Sequence, residues 1–134
     1  MDWEYLGGPQ DLATKGKESM KDIELWRRYA EACQKAGTPA VVQLCHPGPQ
    51  SPRGAGYRGM WTSYTMSPSA VPLNMGNTLI ARLLRWLVFG TSREMTVDDI
   101  QRVVQMFVDA AVLMSDSGFS GIELHGAHGY IISP

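Results

Sequence analysis

Two imidazoles and a phenol fall within six residues: His125-Gly126-Ala127-His128-Gly129-Tyr130. Together they offer hydrogen-bond donors, acceptors and a proton source. The small residues between them let a ligand approach the backbone closely. Three readings compete. His125 and His128 can donate to a carbonyl oxygen while Tyr130 gives a proton. They can bind a metal, helped by Glu123, which lies two residues before His125 on the same strand face. A metal needs three or four ligands, and the helical His-Glu-x-x-His spacing is absent here. Or the segment is a turn whose polar groups are satisfied locally.

A second polar cluster is Gln43-Leu44-Cys45-His46. Gln43 is the one polar residue in the run Ala40–Leu44. It is either a satisfied core amide or a group pointing into a site. Cys45 beside His46 makes a poor nucleophile pair, because neighbours on a strand point to opposite faces. No Gly-x-Gly-x-x-Gly follows a strand, and there is no phosphate loop or Gly-x-Ser-x-Gly elbow. Gly54-Ala55-Gly56-Tyr57-Arg58-Gly59 is glycine-rich, but no strand precedes it.

The elements that must position these groups follow from periodicity. Residues 1–20 read as a loop. Residues 22–36 read as a helix capped by Asp22, with Ile23, Trp26, Ala30 and Cys33 on one stripe and Gly37 as the stop. Pro39–Cys45 is an almost continuous apolar run, as in a parallel strand covered on both faces. Residues 46–72 hold five prolines and four glycines and read as a long loop. A loop of that length is usually functional or disordered, and Tyr57, Trp61 and Tyr64 argue against plain disorder. Leu79, Ile80, Leu83, Leu84 and Leu87 predict an amphipathic helix over 77–89, packed on the domain; an interfacial membrane helix is the alternative. Residues 96–117 give the clearest helix, opened by a Thr96/Asp99 capping box and closed by Gly118. Gly121–His125 reads as a second strand.

Helices closely followed by strands are the rhythm of parallel α/β structure. In such folds, ligand sites lie beyond the carboxyl ends of the strands, which is where both polar clusters fall. Two strands alone make a poor sheet with unpaired edges. The pieces are those of an α/β fold, and too few of them.

Composition narrows the function further. The chain has 134 residues, with 12 basic and 13 acidic side chains and a net charge of −1. That balance argues against nucleic acid as the main partner. Hydrophobic residues at 44% and charged residues at 19% argue against bulk disorder. An eight-stranded α/β barrel needs about 250 residues, so a whole one does not fit. Cys33 and Cys45 are too few for a disulfide framework and read as buried thiols. The acidic start Met1-Asp2-Trp3-Glu4 is not a signal peptide, and Arg82 and Arg85 interrupt the longest apolar stretch. The expectation is a cytoplasmic protein with no membrane span.

At these residues the chain resembles the Old Yellow Enzyme family of NADH:flavin oxidoreductases. Gly118–Tyr130 is similar to the family's fourth barrel strand and the loop after it. Val42-Gln43-Leu44-Cys45-His46-Pro47-Gly48 is similar to the third strand, although Pro49 stands where the family usually has Arg. Pro68-Ser69-Ala70-Val71-Pro72-Leu73 and Thr96–Ile100 also match, in the same order. The resemblance implies an α/β fold: a partial TIM (β/α)8 barrel, about strands 3–4, with flanking helices and the Pro/Gly-rich excursion. Residues 1–134 would be one incomplete FMN-binding domain. It implies FMN as cofactor and NADH or NADPH as reductant. The substrate would be a small molecule, an activated alkene such as an α,β-unsaturated carbonyl. His125 and His128 would hold the substrate carbonyl oxygen, Tyr130 would be the general acid, and Gln43 would hydrogen-bond the flavin's pyrimidine edge. The alternative is a truncated, non-catalytic fragment or interaction module without a complete flavin site. Taken alone, the chain is expected to bind FMN weakly or not at all.

Overall fold

The computed structural model describes residues 20–54 and 64–134. The expected loop over residues 1–20 lies almost wholly outside them, as do Ala55–Gly59 of the glycine-rich segment, and Trp61.

Helix α1 (Met20–Gln34) is followed by strand β1 (Val41–Leu44). A 3-10 turn covers Gly48–Gln50, and β2 covers Thr65–Ser67. Then come α2 (Leu79–Val88), β3 (Ser92–Glu94), α3 (Val97–Asp116) and β4 (Gly121–Leu124). β1 pairs with β4 in parallel, Gln43 opposite Glu123 and Leu44 opposite Leu124. β2 pairs with β3, also in parallel, Met66 opposite Arg93.

The expected helices and the two longer strands are present, but α1 begins before Asp22. Asp22 therefore sits inside the helix and is not its cap. β2 and β3 are absent from the sequence reading, and 46–72 is not one irregular loop. Three residues of Thr-Met-Ser or Ser-Arg-Glu are too short to show an alternation. Long-range bonds make them strands: Thr65 N–H donates to the Thr91 carbonyl (3.2 Å) and Met95 N–H to the Ser67 carbonyl (2.9 Å). All three residues of β2 are buried.

α3 is the element around which the core forms. Its stripe places Ala110, Leu113 and Met114 on Leu44, with Ile23 and Trp26 of α1, Val42 and Phe119 packed around them. Its first half meets a second cluster, Met66, Val103 and Ile131, and Phe107 touches both. Burying a Leu-sized side chain contributes about 1.5–3 kcal/mol, so Leu44, at 0% exposure, is a main anchor of β1. Gln34 staples the end of α1 to both strand entries. Its amide donates to the Gly118 carbonyl (2.9 Å) and accepts from Ala40 N–H (3.2 Å).

The sheet is covered on one face only. Leu44 is buried against α3, whereas Val41 and Gln43 on the opposite face are exposed. The both-face burial expected of β1 is therefore not found among the described residues. Ile122 and Leu124 of β4 border an apolar groove of about 530 Å³ along α3. α2 also departs from expectation, because it is not packed over the domain and none of its residues is buried. It is held at its C-terminal end by Arg53, which donates to the Trp86 carbonyl (3.1 Å) and lies 5.1 Å above the Trp86 ring. No helix among the described residues is long and apolar enough to cross a membrane.

The predicted capping box opens α3. Asp99 N–H donates to Thr96 Oγ1 (3.1 Å), and Thr96 N–H donates back to Asp99 Oδ2 (2.9 Å). Arg93 joins at 2.8 Å from Oδ2. The Arg93 guanidinium, then the Thr96 N–H and hydroxyl, hold the Asp99 carboxyl well below the usual carboxylate range. A folded-state pKa below the unfolded value of about 3.9 stabilises the fold at higher pH. That contribution is complete above the unfolded value and disappears as pH falls through the folded one. Asp99→Asn should therefore cost about 1 kcal/mol at pH 7. In urea unfolding its gap to the parent should begin to narrow as pH falls below about 4 and close only well below that. A gap that is constant with pH would show that the carboxylate charge is not what stabilises the cap.

Candidate functional site

The site begins where β1 and β4 end together. His125 N–H extends the ladder by one bond, donating to the Leu44 carbonyl (2.9 Å). Beyond it the chain turns sharply. Tyr130 N–H donates to the Ala127 carbonyl (3.2 Å), and His128 and Gly129 both take left-handed backbone, φ 59° and 71°. Glycine tolerates that region freely, whereas a residue with a Cβ does so at a cost of about 1–2 kcal/mol.

The turn folds the polar side chains onto one another. His128 Nδ1 lies 3.2 Å from His125 Nε2, with ring centroids 5.1 Å apart. The Tyr130 ring stands edge-on to His125, centroids 4.9 Å apart, and 6.4 Å from His128. His125 and Tyr130 are half-buried and His128 is exposed. The three residues that the sequence groups are thus one cluster in space.

The hydrogen-bond arithmetic of the pair is constrained. A neutral imidazole has one N–H and one acceptor nitrogen. When one ring donates to the other, the neutral pair retains one N–H for a ligand. Presenting two donors requires the His–His bond to open, or one ring to take up a proton.

Gln43 lies elsewhere on the same sheet end. Its Nε2 donates to Glu123 Oε1 (3.1 Å), its register partner across the strands. It is exposed, so the core-amide reading fails. The structure joins Gln43 to Glu123 rather than to the histidines.

The loop after β1 braces the loop after β4. His46 is buried, and its Nδ1 accepts from Gly48 N–H (2.9 Å), so that nitrogen carries no proton. The His46 carbonyl accepts from Ile131 N–H (3.1 Å). Gly48, at φ 54°, lies so close that a Cβ would stand 3.0 Å from Ile131 N. The Gln50 side-chain amide donates to the His128 carbonyl. Gln50 and Ile131 carry no sequence signal for these roles, because a Pro/Gly turn has no periodicity to expose a contact across 78 residues.

Other chemistries fare poorly. Among the described residues no three His, Cys, Asp or Glu side chains are grouped as a metal would need. Burial pushes the Cys45 thiol up, which disfavours the nucleophilic thiolate. Cys33 is exposed, contrary to the buried-thiol expectation, because the α1 stripe is covered only as far as Ala30.

Comparison with known proteins bears on the same elements. The model of the NADH:flavin oxidoreductase / NADH oxidase family matches residues 16–134. The chain belongs to this family. Members use FMN with NADH or NADPH. The chain is 50% identical over 130 residues to an NADH-dependent flavin oxidoreductase of Talaromyces variabilis, covering 96% of this chain and 31% of that protein. It is 50% identical over 112 residues to another from Neonectria sp., covering 84% of this chain and 14% of that one. A solved Old Yellow Enzyme homologue from Zymomonas mobilis superposes with a TM-score of 0.66 at 26% identity, over 96% of this chain and 33% of that chain. The chain thus spans about a third or less of the length of these relatives.

The brace between the loops is directly testable. Gly48→Ala should lower stability by at least about 1–2 kcal/mol, from left-handed strain and the clash with Ile131 N. The urea midpoint measures this, and an unchanged midpoint would mean that the two loops can separate without cost.

Proposed function

We propose that the protein is an FMN-dependent NAD(P)H oxidoreductase of the Old Yellow Enzyme type, reducing activated alkenes such as α,β-unsaturated carbonyls. The observation that carries this reading is the clustering of His125, His128 and Tyr130 just beyond the C-terminal end of β4. In parallel α/β folds that is where ligands bind. On this reading β1 and β4 are about the third and fourth strands of a TIM barrel, and their outer edges are where further strands pair.

The residues fit a flavin at one edge. Gln43 is exposed and gives one N–H to Glu123. Its carbonyl oxygen and second N–H remain to match an imide-like ring edge, which the pyrimidine side of FMN has. The chemistry FMN supplies when bound is hydride transfer, in from NADH or NADPH and out to the alkene β-carbon.

The chain's own residues do the rest. His125 and His128 hold the substrate carbonyl oxygen and stabilise the negative charge that grows there as the alkene is reduced. To bring both donors to bear, the carbonyl oxygen replaces the His–His hydrogen bond. Tyr130, packed against His125, donates the proton to the α-carbon.

A second reading, an interaction module without its own catalysis, draws support from the exposed apolar side chains Ile100, Val104, Ile122 and Leu124. The two readings part in one experiment. NADH oxidation by the FMN-supplied protein is followed with a cyclic enone under anaerobic conditions. Replacing either His by Ala should lower kcat/KM for the enone by about 100-fold or more, as for loss of an oxyanion donor. Tyr130→Phe should lower it by at least about 100-fold. Enone reduction that survives all three changes would overturn the site assignment, and a stable complex with a partner protein together with no enone reduction even at saturating FMN would favour the module.

A further inference from the structure

We propose that Gln50 is a positioning residue for the histidine pair: by holding the His128 carbonyl, it keeps His128 in the left-handed backbone that turns its imidazole onto His125. The proposal rests on the reading of His125 and His128 as the substrate carbonyl site.

His128 is the one non-glycine residue with positive φ among the described residues. A left-handed residue with a Cβ persists only where its surroundings hold it. Bonds within the loop, Tyr130 N–H to the Ala127 carbonyl and Ser133 N–H to the Tyr130 carbonyl, close the turn without touching the His128 carbonyl. From outside the loop, Gln50 reaches that carbonyl through its side-chain amide. The same amide nitrogen lies where a Cβ on Gly129 would stand 3.0 Å away, so Gly129 leaves the space the amide needs.

Gln50 is itself placed with little freedom. It ends the 3-10 turn, its N–H donating to the Pro47 carbonyl (3.0 Å). That turn is anchored by buried His46 through Gly48 N–H, and by Gly48 lying against Ile131. The amide therefore approaches His128 from a fixed base. Without that donor, His128 is free to relax toward ordinary φ, and the 3.2 Å approach of its Nδ1 to His125 Nε2 is lost.

Two substitutions separate the donor from the space it fills. Gln50→Glu keeps the length and places an acceptor against the carbonyl, while Gln50→Lys keeps a donor. Long-range proton–nitrogen NMR of the full chain reads the ring nitrogens of His125 and His128 directly. In Gln50→Glu the signature of the shared N–H between the rings should disappear, and in Gln50→Lys it should persist. In the FMN-supplied protein, kcat/KM for a cyclic enone should fall about tenfold in Gln50→Glu, because the donor pair is no longer held in place. It should recover to within a few-fold in Gln50→Lys. A purely structural role would shift the unfolding midpoint equally in both variants and would not sort them by donor. If Gln50→Glu does not fold, Gln50→Met, neutral and of similar length, gives the same reading. Retention of the His–His signature and of kcat/KM in Gln50→Glu or Gln50→Met overturns the proposal. Should the His→Ala variants retain enone reduction, the substrate role of the pair fails, yet the NMR result still decides whether Gln50 orients it.

Discussion

The parallel pairing of β1 with β4 is the constraint on which the rest of the structure depends. It joins residues 80 positions apart, Gln43 with Glu123 and Leu44 with Leu124. Each ladder bond contributes a net of only about 0.5–1.5 kcal/mol. The pairing holds because α3 lies across one face and buries Leu44 among Ala110, Leu113 and Met114. Once the register is set, the strand ends are set. His125 donates to Leu44, and both polar loops emerge from the same edge of the sheet. A slip of one residue would turn His125 and Gln43 to the helix side and Leu44 away from it.

The candidate site is then made by two loops that hold each other. Neither is regular, and both use left-handed backbone, Gly48 in the first and His128 with Gly129 in the second. The strain at His128 is offset by contacts that come from the other loop. This couples the geometry of the histidine pair to a turn that carries no catalytic group. It also gives a structural role to His46, a buried imidazole. Its ring anchors the turn through Gly48 and its carbonyl anchors Ile131.

The opposite feature of the molecule is uncovered apolar surface. Val41, Ile122 and Leu124 on the strands, Ile100 and Val104 on α3, and Leu79 and Ile80 on α2 are all exposed. The chain spans about a third or less of the relatives it matches. On the proposed barrel reading, the groove beside β4 and α3 is where the next β/α unit packs. The same surface would serve the interaction-module reading.

The sequence alone determined the elements whose signal is local. The helices at α2 and α3, the capping box, and the strands at β1 and β4 follow from periodicity and end signals within a few residues. So does the grouping of His125, His128 and Tyr130, because six adjacent residues cannot move far apart. Other features were decided only by tertiary structure, because they are contacts between residues distant in sequence. β2 and β3 are too short to carry a pattern and exist through each other. Gln43 is exposed and paired with Glu123 because only one face of the sheet is covered. Cys33 is exposed because the packing on α1 stops short of it. Gln50 reaches His128 because two turns, each shaped by positive-φ residues, close against one another. Periodicity reports which face of an element is apolar. It does not report what lies opposite, and here that decides both the core and the geometry of the candidate site.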